Sequence, residues 1–177
     1  GNGEPTASKQ FKAVIRILIR KIKKYNLDQI IIRLITNGSY MSELKTQEAL
    51  SLLASFNREV WFKIDQTNKE GVKTINQVNL STLSVKKNLE AALQNSPTFI
   101  QTCLFKLNTE LPTSESLATY INFLKPYRDK IKGIHLYSLA RPSEQTNQAV
   151  LTRLTESELK TIACKIKILN IPIQIFP

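Results

Sequence analysis

The chain has 177 residues, 42% hydrophobic and 22% charged, a balance that suits one domain with a sizeable core and excludes whole-chain disorder, collagen and coiled coil. Lysine and arginine number 25 against 14 aspartates and glutamates, a net charge of +11 that favours an anionic partner such as RNA or an acidic membrane. The two cysteines, Cys103 and Cys164, form no C-x-x-C pair, which excludes a disulfide scaffold and makes a reducing, cytoplasmic setting the expectation, and no apolar run approaches the ~18–20 residues of a membrane helix.

Gly1-Asn2-Gly3-Glu4-Pro5-Thr6 opens the chain as a loop, and residues 8–24 read as a helix. Phe11, Val14, Ile15, Leu18, Ile19 and Ile22 fall at helical spacing and mark a core face. Lys9, Lys12, Arg16, Arg20, Lys21, Lys23 and Lys24 run among them without an acid. That basic face is either simply solvated or a docking surface for phosphates, and it lacks the aromatic interleaving of a single-strand binder. Asp28 to Ile35 is a β-branched run consistent with a strand, Thr36-Asn37-Gly38-Ser39 is a turn, and Ser42 is a candidate cap for a helix to about Ser55. Arg58 to Asp65 reads as a second strand, and a helix from about Ser84 to Gln94 follows a polar stretch. Thr98 to Lys106 is a third strand, Thr113 or Ser114 caps a helix to about Tyr127, and Lys132 to Ser138 is a fourth strand. Thr155 with Glu158 three residues later makes a capping box for a helix to about Leu169. Ile171 to Phe176 is a last strand, and Pro172 assigns it to an edge.

Strands beginning near residues 29, 59, 98, 132 and 171 keep the rhythm of βαβ units. The fold class expected is α/β, about five parallel strands with outer helices in a single domain over residues 1–177. An open doubly wound sheet and a partial (β/α) barrel both remain open. A complete eight-unit barrel needs about 250 residues and is excluded.

Both closures place functional residues at the carboxyl ends of the strands. Glu4, flanked by two glycines, either offers its carboxylate to a ligand ammonium or decorates an ordinary turn. Asn37 and Gly38 form a turn dipeptide that is either a plain turn or a pocket lining. Lys63 and Asp65 share one face of their strand, where Asp65 either accepts from a sugar hydroxyl or closes the strand into a loop. His135 is the only histidine, so histidine-rich metal sites and Ser/His/Asp triads lack material, and it reads as packed or surface. Cys103 and Cys164 read as core thiols. No P-loop, G-x-G-x-x-G or H-E-x-x-H motif occurs.

Taken in order, G-N-G-E-P-T, I-T-N-G-S, V-W-F-K-I-D, F-I-Q-T and I-H-L-Y-S-L-A-R-P resemble the radical S-adenosylmethionine enzymes. In that superfamily a (β/α)6 partial barrel carries a cluster loop after its first strand, a G-x-G-E-P-like motif after the second and T-N-G after the third. Polar nucleoside contacts follow at later strand ends. The K-I-D, I-N, I-Q-T and A-R-P segments are most similar to a branch that includes wyosine-type tRNA-modifying enzymes, which implies tRNA as a candidate substrate. The resemblance implies that Gly3 and Glu4 hold the amino group of the methionine moiety, with Asn37 and Gly38 lining the same pocket. It places Lys63 and Asp65 near the ribose, Thr102 at the next strand end, and Tyr137, Leu139 and Arg141 near adenine or substrate. The C-x-x-x-C-x-x-C that holds the [4Fe–4S] cluster is absent from the sequence, and two distant cysteines do not replace it. The expectation is an N-terminally truncated core whose first two strands and cluster loop lie upstream, inactive alone. A non-enzymatic nucleoside- or RNA-binding relic is the alternative.

Overall fold

The computed structural model describes residues 3–65, 81–140 and 151–177. Six strands, β1 (Ile32–Thr36), β2 (Arg58–Lys63), β3 (Thr98–Leu107), β4 (Ile131–Ser138), β5 (Leu151–Arg153) and β6 (Ile173–Phe176), make one sheet. Among the described residues, α1 (Phe11–Lys24), α2 (Leu44–Ser51), α3 (Thr82–Asn95), α4 (Ser114–Leu124) and α5 (Glu156–Ile166) alternate with them. The strand order is β1-β2-β3-β4-β6, with β1/β2 and β4/β6 parallel. The α/β architecture expected from the rhythm of strands and helices is therefore present. By contact, the chain divides into two compact units, Gly1–Lys63 with Leu80–Phe99, and Ile64–Asn79 with Ile100–Pro177.

In the first unit, alternation along β2 buries Val60 and Phe62 and leaves Glu59, Trp61 and Lys63 partly open. Phe11, Ile15 and Ile22 of α1, Leu50 of α2 and Leu89 of α3 complete its core, each worth about 1.5–3 kcal/mol when fully buried. Arg58, at the start of β2, donates to the carbonyls of Leu53, Ala54 and Asn95 at 2.7–3.0 Å and so ties the turn after α2 to the end of α3. Ser81 caps α3 by accepting from the Ser84 amide. In the second unit Ile100, Leu117, Leu124, Ile134, Leu136, Leu159 and Ile166 form the core. Thr113 caps α4, and Thr155 with Glu158 forms the predicted capping box on α5.

Several boundaries differ from the sequence reading. β1 starts at Ile32 and not Asp28, because the Leu27 amide bonds back to Ile22 and Ile30 to Leu27, so the chain is still turning there. Ser42 does not cap α2: its amide donates to Asn88 Oδ1 at 2.9 Å, and Glu43 takes the cap position without a side-chain bond. Val14, placed on the core face of α1, is 53% exposed, on the flank of the helix turned away from the buried stripe. Cys164, read as a core thiol, is exposed on α5, while Cys103 is half-buried. β5, which has only three residues, pairs antiparallel with β3 and has no counterpart in the sequence reading. β6 is the predicted edge: the Pro172 carbonyl accepts from Ile134, and among the described residues the strand pairs only with β4.

Candidate functional site

In the first unit the opening loop is fastened to the tip of β1. Glu4 Oε2 accepts from the Asn37 amide at 2.7 Å, and Oε1 accepts from the Thr36 hydroxyl at 2.6 Å. Oε1 also accepts the amide of Thr6, at 3.1 Å, and its hydroxyl, closing the short 3-10 turn Pro5–Ala7. One carboxylate thus takes four donors, and the two motifs named in the sequence meet across 33 positions. Thr36, only 2% exposed, also accepts from the Gly38 amide at 2.9 Å. Gly38 has φ +80°, and a Cβ there would stand 2.1 Å from the Phe62 ring. The glycine is demanded by packing beneath the turn as well as by backbone conformation. Gly3, at φ +133°, has open space around it. Lys63 is half-buried on the face of β2 shared with Glu59 and Trp61.

In the second unit Asp65 is 6% exposed, and its Oδ1 accepts from the Cys103 amide at 2.9 Å. Tyr137 is half-buried, and burial, then the charges of Asp65 and Cys103, push its phenol well above the ordinary value. The Asp65 carboxylate is held by the backbone of Cys103, a residue that the sequence pattern assigns to the core. The signal that could have found it is its alternation with Phe105 on β3, opposite Ile100 and Leu104.

Thr102 lines the same cavity as Asp65 and Cys103. It is 1% exposed, and its hydroxyl pairs with Tyr120 of α4 at 2.8 Å, inside the helix-covered layer. Burial also raises the Tyr120 phenol. The parity of β3 decides this: Thr102 shares the face of Ile100 and Leu104. Ser138, absent from the candidate set, is buried and braces the tip of β4, donating to the Leu104 carbonyl at 2.7 Å and accepting from the Leu154 amide at 2.8 Å. His135 is buried and meets Phe176 edge-on at 5.3 Å, the packed alternative of its sequence reading. Leu139 is half-buried just past β4. Arg141, and the I-N pair Ile75-Asn76, lie outside the described residues. Among the described residues no three histidine, cysteine, aspartate or glutamate side chains converge as metal ligands, and none of the helices is long and apolar enough to cross a membrane.

No family model matches the chain, and no curated protein matches its sequence. Among solved structures, a domain of pyruvate-formate lyase-activating enzyme from Bacteroides vulgatus aligns with TM-score 0.65 and 13% identity, over 100% of this chain and 96% of that one. A radical SAM methyltransferase from Sphaerobacter thermophilus aligns with TM-score 0.49 and 11% identity, over 82% of this chain and 40% of that one. The chain shares with the first an α/β fold, a largely parallel sheet with flanking helices.

Proposed function

We propose that this chain is part of the core of a radical S-adenosylmethionine enzyme and lines its cofactor pocket. The observation that carries the reading is the Glu4 carboxylate fastened to the Thr36–Gly38 turn. Among the described residues its Oε2 accepts a single hydrogen bond, which leaves it able to take a ligand ammonium by a charge-assisted bond. Gly3, with open space around it, leaves room for backbone approach. Gly3, Glu4, Asn37 and Gly38 would hold the methionine end. Lys63 and Asp65 would serve the ribose, and Tyr137, Leu139 and Arg141 the adenine or substrate. Thr102 would stand at the next strand end, where its hydroxyl also pairs with Tyr120. When bound at a reduced [4Fe–4S] cluster, S-adenosylmethionine supplies a 5′-deoxyadenosyl radical for hydrogen abstraction. The two cysteines of this chain do not fit a cluster that needs three thiolates, so those ligands would come from upstream sequence and the chain alone would be inactive.

Calorimetry with S-adenosylmethionine and with 5′-methylthioadenosine, which lacks the ammonium, tests this reading. The chain should prefer the sulfonium nucleoside, and Glu4→Gln should erase the preference. Equal affinity for both ligands in the parent chain, or an unchanged preference in the variant, would overturn the assignment.

The second reading, an RNA-binding module, is favoured by α1. Arg16, Arg20, Lys21, Lys23 and Lys24 are exposed, although Lys12 is engaged by Glu48 at 2.6 Å. tRNA is the substrate class that the finer resemblance to wyosine-type enzymes would supply. The joint change of Lys12, Arg16 and Lys23 to Glu should weaken tRNA binding in a filter assay, and undiminished binding would leave α1 a solvated face.

A further inference from the structure

The turn that carries Asn37 and Gly38 continues to Ser42, and α2 and α3 hold that stretch by its backbone. The Gly38 carbonyl accepts from the Met41 amide at 3.1 Å, and Met41 is wholly buried. Gln47 of α2 donates to the Met41 carbonyl, and Asn95 of α3 donates to Gln47. Asn88 of α3 grips the stretch at two points. Its Oδ1 accepts from the Ser42 amide at 2.9 Å, and its Nδ2 donates to the Ser39 carbonyl at 3.4 Å. The bonds then continue toward the candidate pocket: the Ser39 amide donates to Asn37 Oδ1 at 2.9 Å, and the Asn37 amide donates to Glu4 Oε2 at 2.7 Å.

Asn88 is the polar member of a buried stripe. It is 4% exposed and shares that stripe of α3 with Leu89 and Ala92. A buried carboxamide costs free energy to desolvate, and its hydrogen bonds return little more than that cost. An apolar side chain would pack there without it. What the carboxamide adds is direction: one acceptor and one donor fix the loop at two backbone atoms, where apolar contact alone would let it shift. A loop free to shift carries the Asn37 amide with it, and with that amide the orientation of the Glu4 carboxylate.

We propose that Asn88 is a positioning residue for the candidate pocket. It acts through the turn and not by contact with the ligand, keeping the Asn37 amide where it aims Glu4 Oε2. The inference rests on the cofactor reading for its ligand and deepens it, by naming a residue on α3 that tunes the affinity of that site. Without Asn88 the competent turn is populated less, and the apparent affinity falls by the same fraction.

The experiment uses the full chain with Asn88→Leu and Asn88→Asp, each checked for native circular dichroism, and reads them in two ways. Without ligand, amide hydrogen exchange at Asn37 and Gly38 should accelerate about twofold to tenfold in Asn88→Leu, the span of one net hydrogen bond, while Val60 in the core of the same unit holds its rate. Asn88→Asp keeps an acceptor for the Ser42 amide and should change less. Equal acceleration at Val60 would make Asn88 a residue of general stability and overturn the positioning role, as would unchanged exchange at Asn37 in both variants. With ligand, calorimetry should show S-adenosylmethionine bound about twofold to tenfold more weakly by Asn88→Leu than by the parent. Faster exchange with undiminished affinity would overturn the link to the pocket. A parent chain that binds S-adenosylmethionine no better than 5′-methylthioadenosine defeats the cofactor reading instead, and the exchange rates then decide by themselves whether Asn88 positions the turn.

Discussion

The polar strand tips of the two units are held in opposite ways. In the first unit the tip of β1 is tied to a segment outside the sheet: Glu4 takes donors from Thr6, Thr36 and Asn37, and the turn above Phe62 stays partly open. In the second unit the tip groups are sunk into the core. Thr102 pairs with Tyr120, Ser138 bridges Leu104 to Leu154, and Asp65 takes the Cys103 amide. Both patterns look alike in sequence, a small or polar residue after an apolar run. A polar group at a strand end either meets solvent and ligand or must be satisfied internally, and side-chain parity on the strand decides which.

Substitutions at the two tips sharpen this contrast. The largest effect is expected in the first unit. Gly38→Ala forces a side chain onto φ +80° and into the Phe62 ring. It should cost about 2–5 kcal/mol in urea denaturation, from left-handed strain plus overpacking. A loss under about 1 kcal/mol would show that the ring yields and that the turn is less constrained than described. Ser138→Ala in the second unit strips an acceptor from the Leu154 amide and a donor from the Leu104 carbonyl, and should cost about 1–3 kcal/mol by the same measurement. Tyr120→Phe leaves the buried Thr102 hydroxyl unpaired and should cost about 1 kcal/mol, with part of the loss recovered when Thr102→Val removes the partner too. Failure of the double variant to recover anything would mean the pair is not coupled.

The smallest effect is electrostatic. Lys106, then the Thr155 amide, hold the Glu158 carboxyl down to about 2, against an ordinary value of 4.5. A depressed carboxyl stabilises the fold fully above pH 4.5 and loses that contribution as pH falls toward 2. Glu158→Gln should therefore lower the thermal midpoint slightly at neutral pH, the ion pair lying at the surface, and progressively less as pH falls through 4.5 toward 2. An equal drop at both pH values would assign the effect to the cap and not to the charge.

How much was legible follows from sequence distance. The capping box of Thr155 and Glu158, the Thr113 cap and the edge character conferred by Pro172 are local, and each stands where the residues placed it. The Asn88 bond to the Ser42 amide spans 46 positions and displaced a cap that the local pattern supported. β5 was invisible because three residues carry no period of their own and exist as a strand only through Phe105, Lys106 and Leu107. The functional motifs were legible as names, Glu4 and Asn37 among them. Their bond to each other was not, since nothing local relates residues 33 positions apart.

From the residues alone came the alternation of strands and helices, the basic balance, and the absence of three clustered thiolates. Each is a property of composition, spacing or local hydrogen bonding, which the chain carries before it folds. Tertiary structure decided which face each strand residue takes. It turned Thr102 inward to Tyr120, tied Asp65 to the Cys103 amide, laid Arg33 over Trp61 and set Gly38 above a ring. Those outcomes depend on which strand lies beside which and on what covers each face, and only long-range packing determines that.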